Sequence, residues 1–206
     1  MKRLSGKVGA CVSESRGVVV RPLSPPARRV DAERNRARIL AVAGEAFAEA
    51  DEDPSMAEIA RRAGVGMATL YRNFPGRLEL LEELYRHLVD EICAAAQAAQ
   101  GDTPAQAFFT WLLGFHSAGA KKGPLASLLV ADSRGDRSVL NESRSRVIAA
   151  GEPLFTAAQA SGEVRDDVSL GQVLDAVVAL DRVDENPDSP ATMVQVLLDG
   201  LRAGRE

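Results

Sequence analysis

From residue 31 onward, apolar positions recur along this chain with the spacing of helix faces. Ile39, Val42, Ala43, Ala46, Phe47 and Ala50 follow the i, i+3, i+4, i+7 pattern of one buried stripe, which predicts a first helix starting at Asp31. Arg34, Arg36 and Arg38 fall mostly off that stripe, and Asp51-Glu52-Asp53-Pro54 ends it. Ser55 with Glu58 three residues on is a capping-box pattern, and Met56, Ile59, Ala60 and Ala63 give the second helix its apolar face. Gly64-Val65-Gly66 makes a turn, with Gly64 suited to a left-handed position. A third helix then runs from about Met67 to Phe74 and is cut by Pro75-Gly76.

A long fourth helix is predicted over about 77–100, with Leu78, Leu81, Tyr85, Leu88 and Ile92 along one side. Further helices are expected over about 103–120, 124–131, 137–161, 168–183 and 190–203. Their breaks fall at Lys122-Gly123-Pro124, Ser133-Arg134-Gly135, Ser161-Gly162 and Asn186-Pro187-Asp188-Ser189-Pro190. No stretch alternates with period two. The fold class is all-α, with about nine helices.

Residues 1–30 behave differently. They hold Pro22, Pro25 and Pro26, five Lys or Arg before position 22, and little periodicity. They read either as a disordered basic arm or as the product of an assigned start codon lying too far upstream. Charge changes sign along the chain. Residues 1–75 carry 13 Lys and Arg against 9 Asp and Glu, whereas the remainder carries 12 against 20, within a net charge of −4. A basic front suits a phosphate backbone, and an acidic body keeps the rest of the molecule off it; the plainer alternative is a chance gradient on a solvated surface.

Composition narrows the chemistry. Apolar residues reach 46% but aromatics only 4%, so the core must be built mainly from Ala, Leu and Val. Cys11 and Cys93 are far apart, and no cysteine or histidine spacing suits a metal, so neither a metal nor another cofactor is expected. No apolar run approaches the ~18 residues of a membrane span, so no membrane partner is expected and the expected compartment is the cytoplasm. His87 and His116 are the only histidines, and no Ser/His/Asp arrangement accompanies them. The expectation is a protein that is not an enzyme and has no catalytic residues.

The stretch SMAEIARRAGVGMATLYRNF has the build of a helix-turn-helix. Ala60 is small where two helices must approach, a glycine follows at the turn, and Val65 plugs the angle between them. With Leu70 and Phe74 facing inward, Met67, Ala68, Thr69, Tyr71, Arg72 and Asn73 lie at or near the outer face. Arg forks onto guanine, Asn onto adenine, and Thr and Tyr hold phosphates. Arg72 is the foremost base-reading candidate, with a phosphate contact as its alternative. Tyr71 is either a phosphate contact or half-buried packing. Arg61 and Arg62 are read as solvated surface, with phosphate contact as their alternative.

The pattern Ile-Ala-x-x-Ala-Gly-Val-x-x-x-Thr-Leu-Tyr-x-x-Phe, preceded by a helix of about 20 residues, resembles the DNA-binding domain of the TetR family of transcriptional regulators. The resemblance is strong over about 31–85. Over 121–167, GPLASLLVAD and AAQASGEVRDDV resemble one actinobacterial group of that family. It implies three parts: the basic arm over 1–30, a helix-turn-helix domain over 31–76, and a helical effector-binding and dimerisation domain over 77–206. Position by position it implies that Thr69 and Tyr71 touch phosphates and that Met67, Ala68, Arg72 and Asn73 face bases. Arg77 stands where many members place a backbone-contacting Lys, and Ser55 joins the set at the start of the second helix. Ala68 and Asn73 replace a frequent Gly and His, which leaves the operator sequence unspecified.

The resemblance also implies partners: a palindromic double-stranded DNA operator, a second copy of the chain and an unknown small-molecule effector. Leu170, Val173, Leu174, Val177 and Val178 form one candidate dimer stripe; Met193, Val194, Leu197, Leu198 and Leu201 form the other. Either stripe would equally serve packing within its own subunit. Phe108, Trp111, Leu112, Phe115, His116 and Phe155 are the candidate effector contacts, with ordinary core packing as their alternative. The function implied is a repressor whose effector alters the separation of two recognition helices. A constitutive DNA-binding protein without ligand response is the main alternative and would have a filled core around Trp111; a small helical enzyme is the other.

Overall fold

The computed structural model describes residues 25–49, 54–183 and 190–203, and among them the chain forms nine α-helices and no strand. They are α1 (Pro25–Glu49), α2 (Met56–Arg62), α3 (Met67–Asn73), α4 (Arg77–Ala98), α5 (Pro104–Ser117), α6 (Gly119–Asp132), α7 (Ser138–Ala160), α8 (Leu170–Val183) and α9 (Pro190–Leu201). The first helix starts six residues earlier than its apolar stripe indicates. Pro25 supplies the fixed φ that suits a first helical position, so Pro25–Val30 belongs to α1 and not to the predicted arm. The rest of that arm, the acidic stop at 51–53, Ala50, and the break before Pro190 lie outside the described residues.

The break predicted at Lys122-Gly123-Pro124 is absent. Pro124 sits inside α6, and the turn falls at Ala118, which closes α5 through its N–H to the Gly114 carbonyl and opens α6 through its own carbonyl. Burial of Leu125 and Leu129 outweighs the one hydrogen bond the proline cannot make. The same reasoning holds for Pro153 inside α7, which is flanked by buried Gly151 and Phe155.

The helices gather around α4. Its predicted stripe holds, with Leu81, Tyr85 and Ile92 buried, but Leu80, Leu84 and Val89 are buried too, so α4 is covered on more than one face. It packs on α1 at its beginning and on α5, α6 and α7 along its length. Ile39, Ala43, Ala46 and Phe47 of α1, Ile59 and Ala60 of α2, and Leu70 of α3 complete a small core with Phe74.

A second packing centre lies on α5. Phe108 stands 5.1 Å from Phe155, 5.6 Å from Phe109 and 6.2 Å from Trp111, ring centre to ring centre. Trp111 donates its indole N–H to the Ile92 carbonyl of α4 at 3.2 Å. The outer edge of its ring reaches α7 because residue 151 is glycine: a Cβ there would meet the indole at 2.2 Å. At the far end, Val164 and Arg202 form an antiparallel bridge, Arg165 N–H donates to the Leu201 carbonyl, and Arg202 lies over the Phe109 ring. The segment after α9 is thereby fastened to the α7–α8 turn and to α5.

Gly151→Ala is expected to force the Trp111 ring off α7, at an overpacking cost of about 1–3 kcal/mol. A lowered thermal midpoint with altered tryptophan fluorescence would agree; an unchanged midpoint would show that the ring has room to yield.

Candidate nucleic-acid interface

Local chemistry builds the α2–α3 unit. Ser55 caps α2, its Oγ accepting the Glu58 N–H at 3.2 Å. The reciprocal half of the capping box is not made, because the Glu58 carboxylate turns to Arg61 and Arg62 with contacts of 2.7–2.8 Å. Those two guanidiniums hold the Glu58 carboxyl at about 2, far below its ordinary 4.5, Arg61 having the larger effect. Arg61 and Arg62 are therefore held by a carboxylate on their own helix.

Gly64 then takes φ of 61°, the left-handed value a side chain resists, and Val65 N–H returns to the Ala60 carbonyl at 3.0 Å. This sharp corner sends α3 off across α2. Val65 is half-buried in the angle, as its position predicts.

With Leu70 and Phe74 sunk in the core, α3 presents its other side to solvent. Met67 and Tyr71 are 39% and 46% exposed, unusual for large apolar or aromatic side chains and consistent with a face made to be covered. Ala68 and Arg72 are exposed beside them. Arg72 folds back along the helix, Nε donating to the Ala68 carbonyl and Nη2 to the Thr69 hydroxyl, both at 3.0 Å. It is thus held near its own helix surface, and Thr69 is half-buried under it.

Two of the expected contacts take other partners. Asn73 is half-buried at the last position of α3, where its amide donates to the Thr69 carbonyl at 2.8 Å and its own carbonyl accepts from Arg36 at 3.2 Å. It fastens the end of the helix. Arg77 is also turned inward. Its Nε meets Asp132 of α6 at 2.8 Å, Nη1 donates to the Pro54 carbonyl at 3.0 Å, and the guanidinium lies over Phe47. The first residue of α4 is thus tied to α1, to the approach to α2 and to the end of α6. Without DNA, the guanidinium expected on a phosphate is paired with Asp132, a carboxylate 55 residues on in sequence.

Arg36 matters more than its off-stripe position indicates. It pairs with Glu83 of α4 at 2.7 Å, lies over the Phe74 ring at 4.6 Å and reaches the Asn73 carbonyl. It staples α1 to both α3 and α4. Nothing local in the sequence marks it, because both partners are remote.

The expected effector residues divide. A cleft of about 300 Å3 opens between α4 and α5, bounded by Leu88, Ile92, Trp111 and Phe115, with Glu91 and Thr110 exposed at its edge. Trp111 and Phe115 therefore line a cavity. Phe108, Leu112 and Phe155 are filled core away from it, and half-buried His116 does not line it. Behind Phe115, the buried Lys122 ammonium sits 3.4 Å from the ring centre.

The two expected dimer stripes divide as well. Leu170, Val173, Leu174, Val177, Val194, Leu198 and Leu201 are buried in this subunit's own core. Val178 and Leu197 are half-exposed. Met193 is 45% and Val196 60% exposed, so the outer face of α9 is narrower than the stripe and shifted by one helical edge. Val196 was not among the expected residues.

Similarity to known proteins decides the family. Residues 39–84 match the family model for bacterial regulatory proteins of the tetR family, and residues 103–203 match one described as transcriptional regulator SbtR-like, C-terminal domain. A TetR transcriptional regulator from Streptomyces coelicolor is 34% identical, with 82% of this chain and 99% of that one covered and a TM-score of 0.65. The chain belongs to the TetR family. A TetR transcription regulatory protein from Mycobacterium vanbaalenii is also 34% identical, covering 85% and 99% at a TM-score of 0.65. Salmonella enterica GusR, at 21% identity, 82% and 93% coverage and a TM-score of 0.61, shares the fold. As a member of this TetR family the chain is a DNA-binding transcriptional regulator, in a family and fold of transcription regulators rather than enzymes. Among the described residues no helix is long and apolar enough to cross a membrane, and no cluster of His, Cys, Asp and Glu could hold a metal ion.

The Glu58 fan has a definite pH signature. A carboxyl whose folded value lies below its unfolded one keeps its partners above about 4.5 and loses them as pH falls through about 2. A carboxyl NMR titration should place the Glu58 midpoint near 2 and return it toward 4.5 when Arg61 and Arg62 are both replaced by Ala. A midpoint already at 4.5 in the unaltered chain would show that the fan does not persist in solution.

Proposed function

We propose that this TetR-family regulator is a cytoplasmic homodimeric repressor, released from a palindromic operator by a small apolar effector. The observation that carries the reading is the course of α4. It starts at Arg77, four residues after α3 ends, and its Leu88, Glu91, Ile92 and Ala95 form one wall of the cleft. A ligand that fits the cleft better in one position of α4 than in another must bias where α3 is held. Division of labour then places residues 31–76 on the DNA and gives 77–206 the effector and the partner, in line with matches to the family's N-terminal and C-terminal models.

On DNA, Arg72, Tyr71, Met67, Ala68 and Thr69 form the reading face, with Ser55 free to donate its hydroxyl hydrogen to a phosphate while its oxygen caps α2. Two α3 helices set about 34 Å apart would read the two halves of the site. Pairing through Met193, Val196, Leu197 and Val178 supplies that spacing, with the buried residues of α8 and α9 holding the face rigid. The cleft lies at the small end of ligand cavities, and its single carboxylate, Glu91, favours an apolar molecule with a positive or hydrogen-bond-donating end.

The filled core around Phe108 and Phe155 supports a second reading, a repressor that responds to no ligand. Trp111 separates the two, since it is the only tryptophan of the chain and lines the cleft. Titrating apolar amines should shift its emission and lift the protein from DNA. Emission shifts without release would favour the constitutive reading.

Selection of bound duplexes from a random pool should return a palindrome. Tyr71→Ala with Arg72→Ala should weaken its binding by about 30-fold or more, two contacts at about 1–3 kcal/mol each. Met193→Glu with Val196→Glu should yield a monomer by sedimentation that binds the palindrome poorly. Recovery of no sequence preference, or a variant that remains dimeric, would count against the corresponding half of the proposal.

A further inference from the structure

At the start of α4 the Arg77 guanidinium is paired with Asp132, and the fold brings two further cations close to it. Helix α6 runs antiparallel to α4, since Arg77 opens α4 and Asp132 closes α6. The turn at 133–137 therefore emerges beside Arg77 and Pro54, next to Ser55 at the exposed start of α2.

The turn is built to hold its arginines outward. Gly135 N–H returns to the Val130 carbonyl at 2.9 Å and Arg134 N–H to the Ala131 carbonyl at 3.3 Å, which closes α6. Ser133 Oγ donates to the Asp136 carbonyl at 2.8 Å. Asp136 spends its carboxylate inside the turn, accepting the Ser138 N–H at 2.8 Å and its hydroxyl at 3.2 Å. Asp132 is spent on Arg77. Both acids of the turn are thus occupied, while Arg134 and Arg137 are exposed and no carboxylate among the described residues holds either one.

Arg134 also has φ of 55°, the one left-handed non-glycine among the described residues. Glycine or asparagine would sit there with less strain, so a long cation is kept at a backbone cost. The structure assigns this turn a partner: we propose that Arg134 and Arg137 contact the sugar–phosphate backbone of the bound DNA. They extend the line of contacts that begins at Ser55 and carry it from the reading unit onto the helices that would hold the effector. The contact is electrostatic and indifferent to base sequence. It rests on the reading of the chain as an operator-binding repressor, and it gives the C-terminal helices a direct hold on DNA in addition to their action through α4.

The test uses the full chain and the duplex recovered by selection, with flanking sequence retained, and anisotropy measured from 50 to 200 mM salt. Arg134→Gly suits the left-handed backbone and Arg137→Ala lies at an exposed turn, so the double variant should melt as the unaltered chain does. Its affinity should fall, and the loss of affinity across that salt range should shrink by about 3.5-fold for each phosphate contact removed. Preference among operator sequences should not change. Lys at both positions should restore most of the affinity, because a phosphate needs only a nearby positive charge. Unaltered affinity and salt dependence in the double variant would overturn the proposal, and so would a loss that Lys does not restore. If Tyr71→Ala with Arg72→Ala abolishes binding while the turn variant binds normally, this inference alone falls. If the unaltered chain binds no duplex, it falls together with the operator-binding reading.

Discussion

Much in this molecule depends on how α4 is held, because it packs on α1 at the small core and on α5 and α7 at the aromatic one. At its start, Arg77 is clasped by Asp132, the Pro54 carbonyl and the face of Phe47. Near its middle, the Ile92 carbonyl takes the Trp111 indole N–H, and the same ring is pressed on α7 through the space left by Gly151. A rod fixed at one end by a charged clasp and further along by a packed aromatic responds to a push as a lever. In the effector response proposed above, a displacement beside Trp111 would be carried along α4 to the clasp. The clasp is the softer of the two, since it is made of polar contacts at a partly wetted surface.

How much of this was legible beforehand differs by feature. The helices were, because each buries a stripe whose period survives in the residue order, and the corner at Gly64 was, because only a left-handed residue ends α2 and turns within two positions. The family was legible too, since its most specific residues lie within one continuous segment. The two helix limits near proline departed for different reasons: Pro25 suits a first helical position, whereas at Pro124 the burial of Leu125 and Leu129 is a tertiary gain that outweighs the missing N–H.

The site was legible only where its residues act through their own helix. Met67, Tyr71 and Arg72 could be placed outward from Leu70 and Phe74 alone. Arg77 and Arg36 could not, since their partners lie on other elements, and a motif aligned by position carries no information about a carboxylate that folds against it from afar. The aromatic group on α5 divides for a related reason. Clustering in sequence identifies a packing centre, but whether rings fill space or border it depends on the opposite wall. Phe108 met Phe155, while Trp111 and Phe115 were left beside the gap along α4.

The fastening of the segment after α9 bears on how two such chains could move against each other. Val164 and Arg202 are bridged backbone to backbone, Arg165 holds the Leu201 carbonyl, and Arg202 is laid on Phe109. A helix secured this way at its C-terminal end cannot slide along its axis without breaking a register-specific ladder, yet it can rock about that end with little loss. Any rearrangement across the outer face of α9 would therefore be a pivot with its fulcrum beside Phe109, greatest toward Met193 and least toward Leu201.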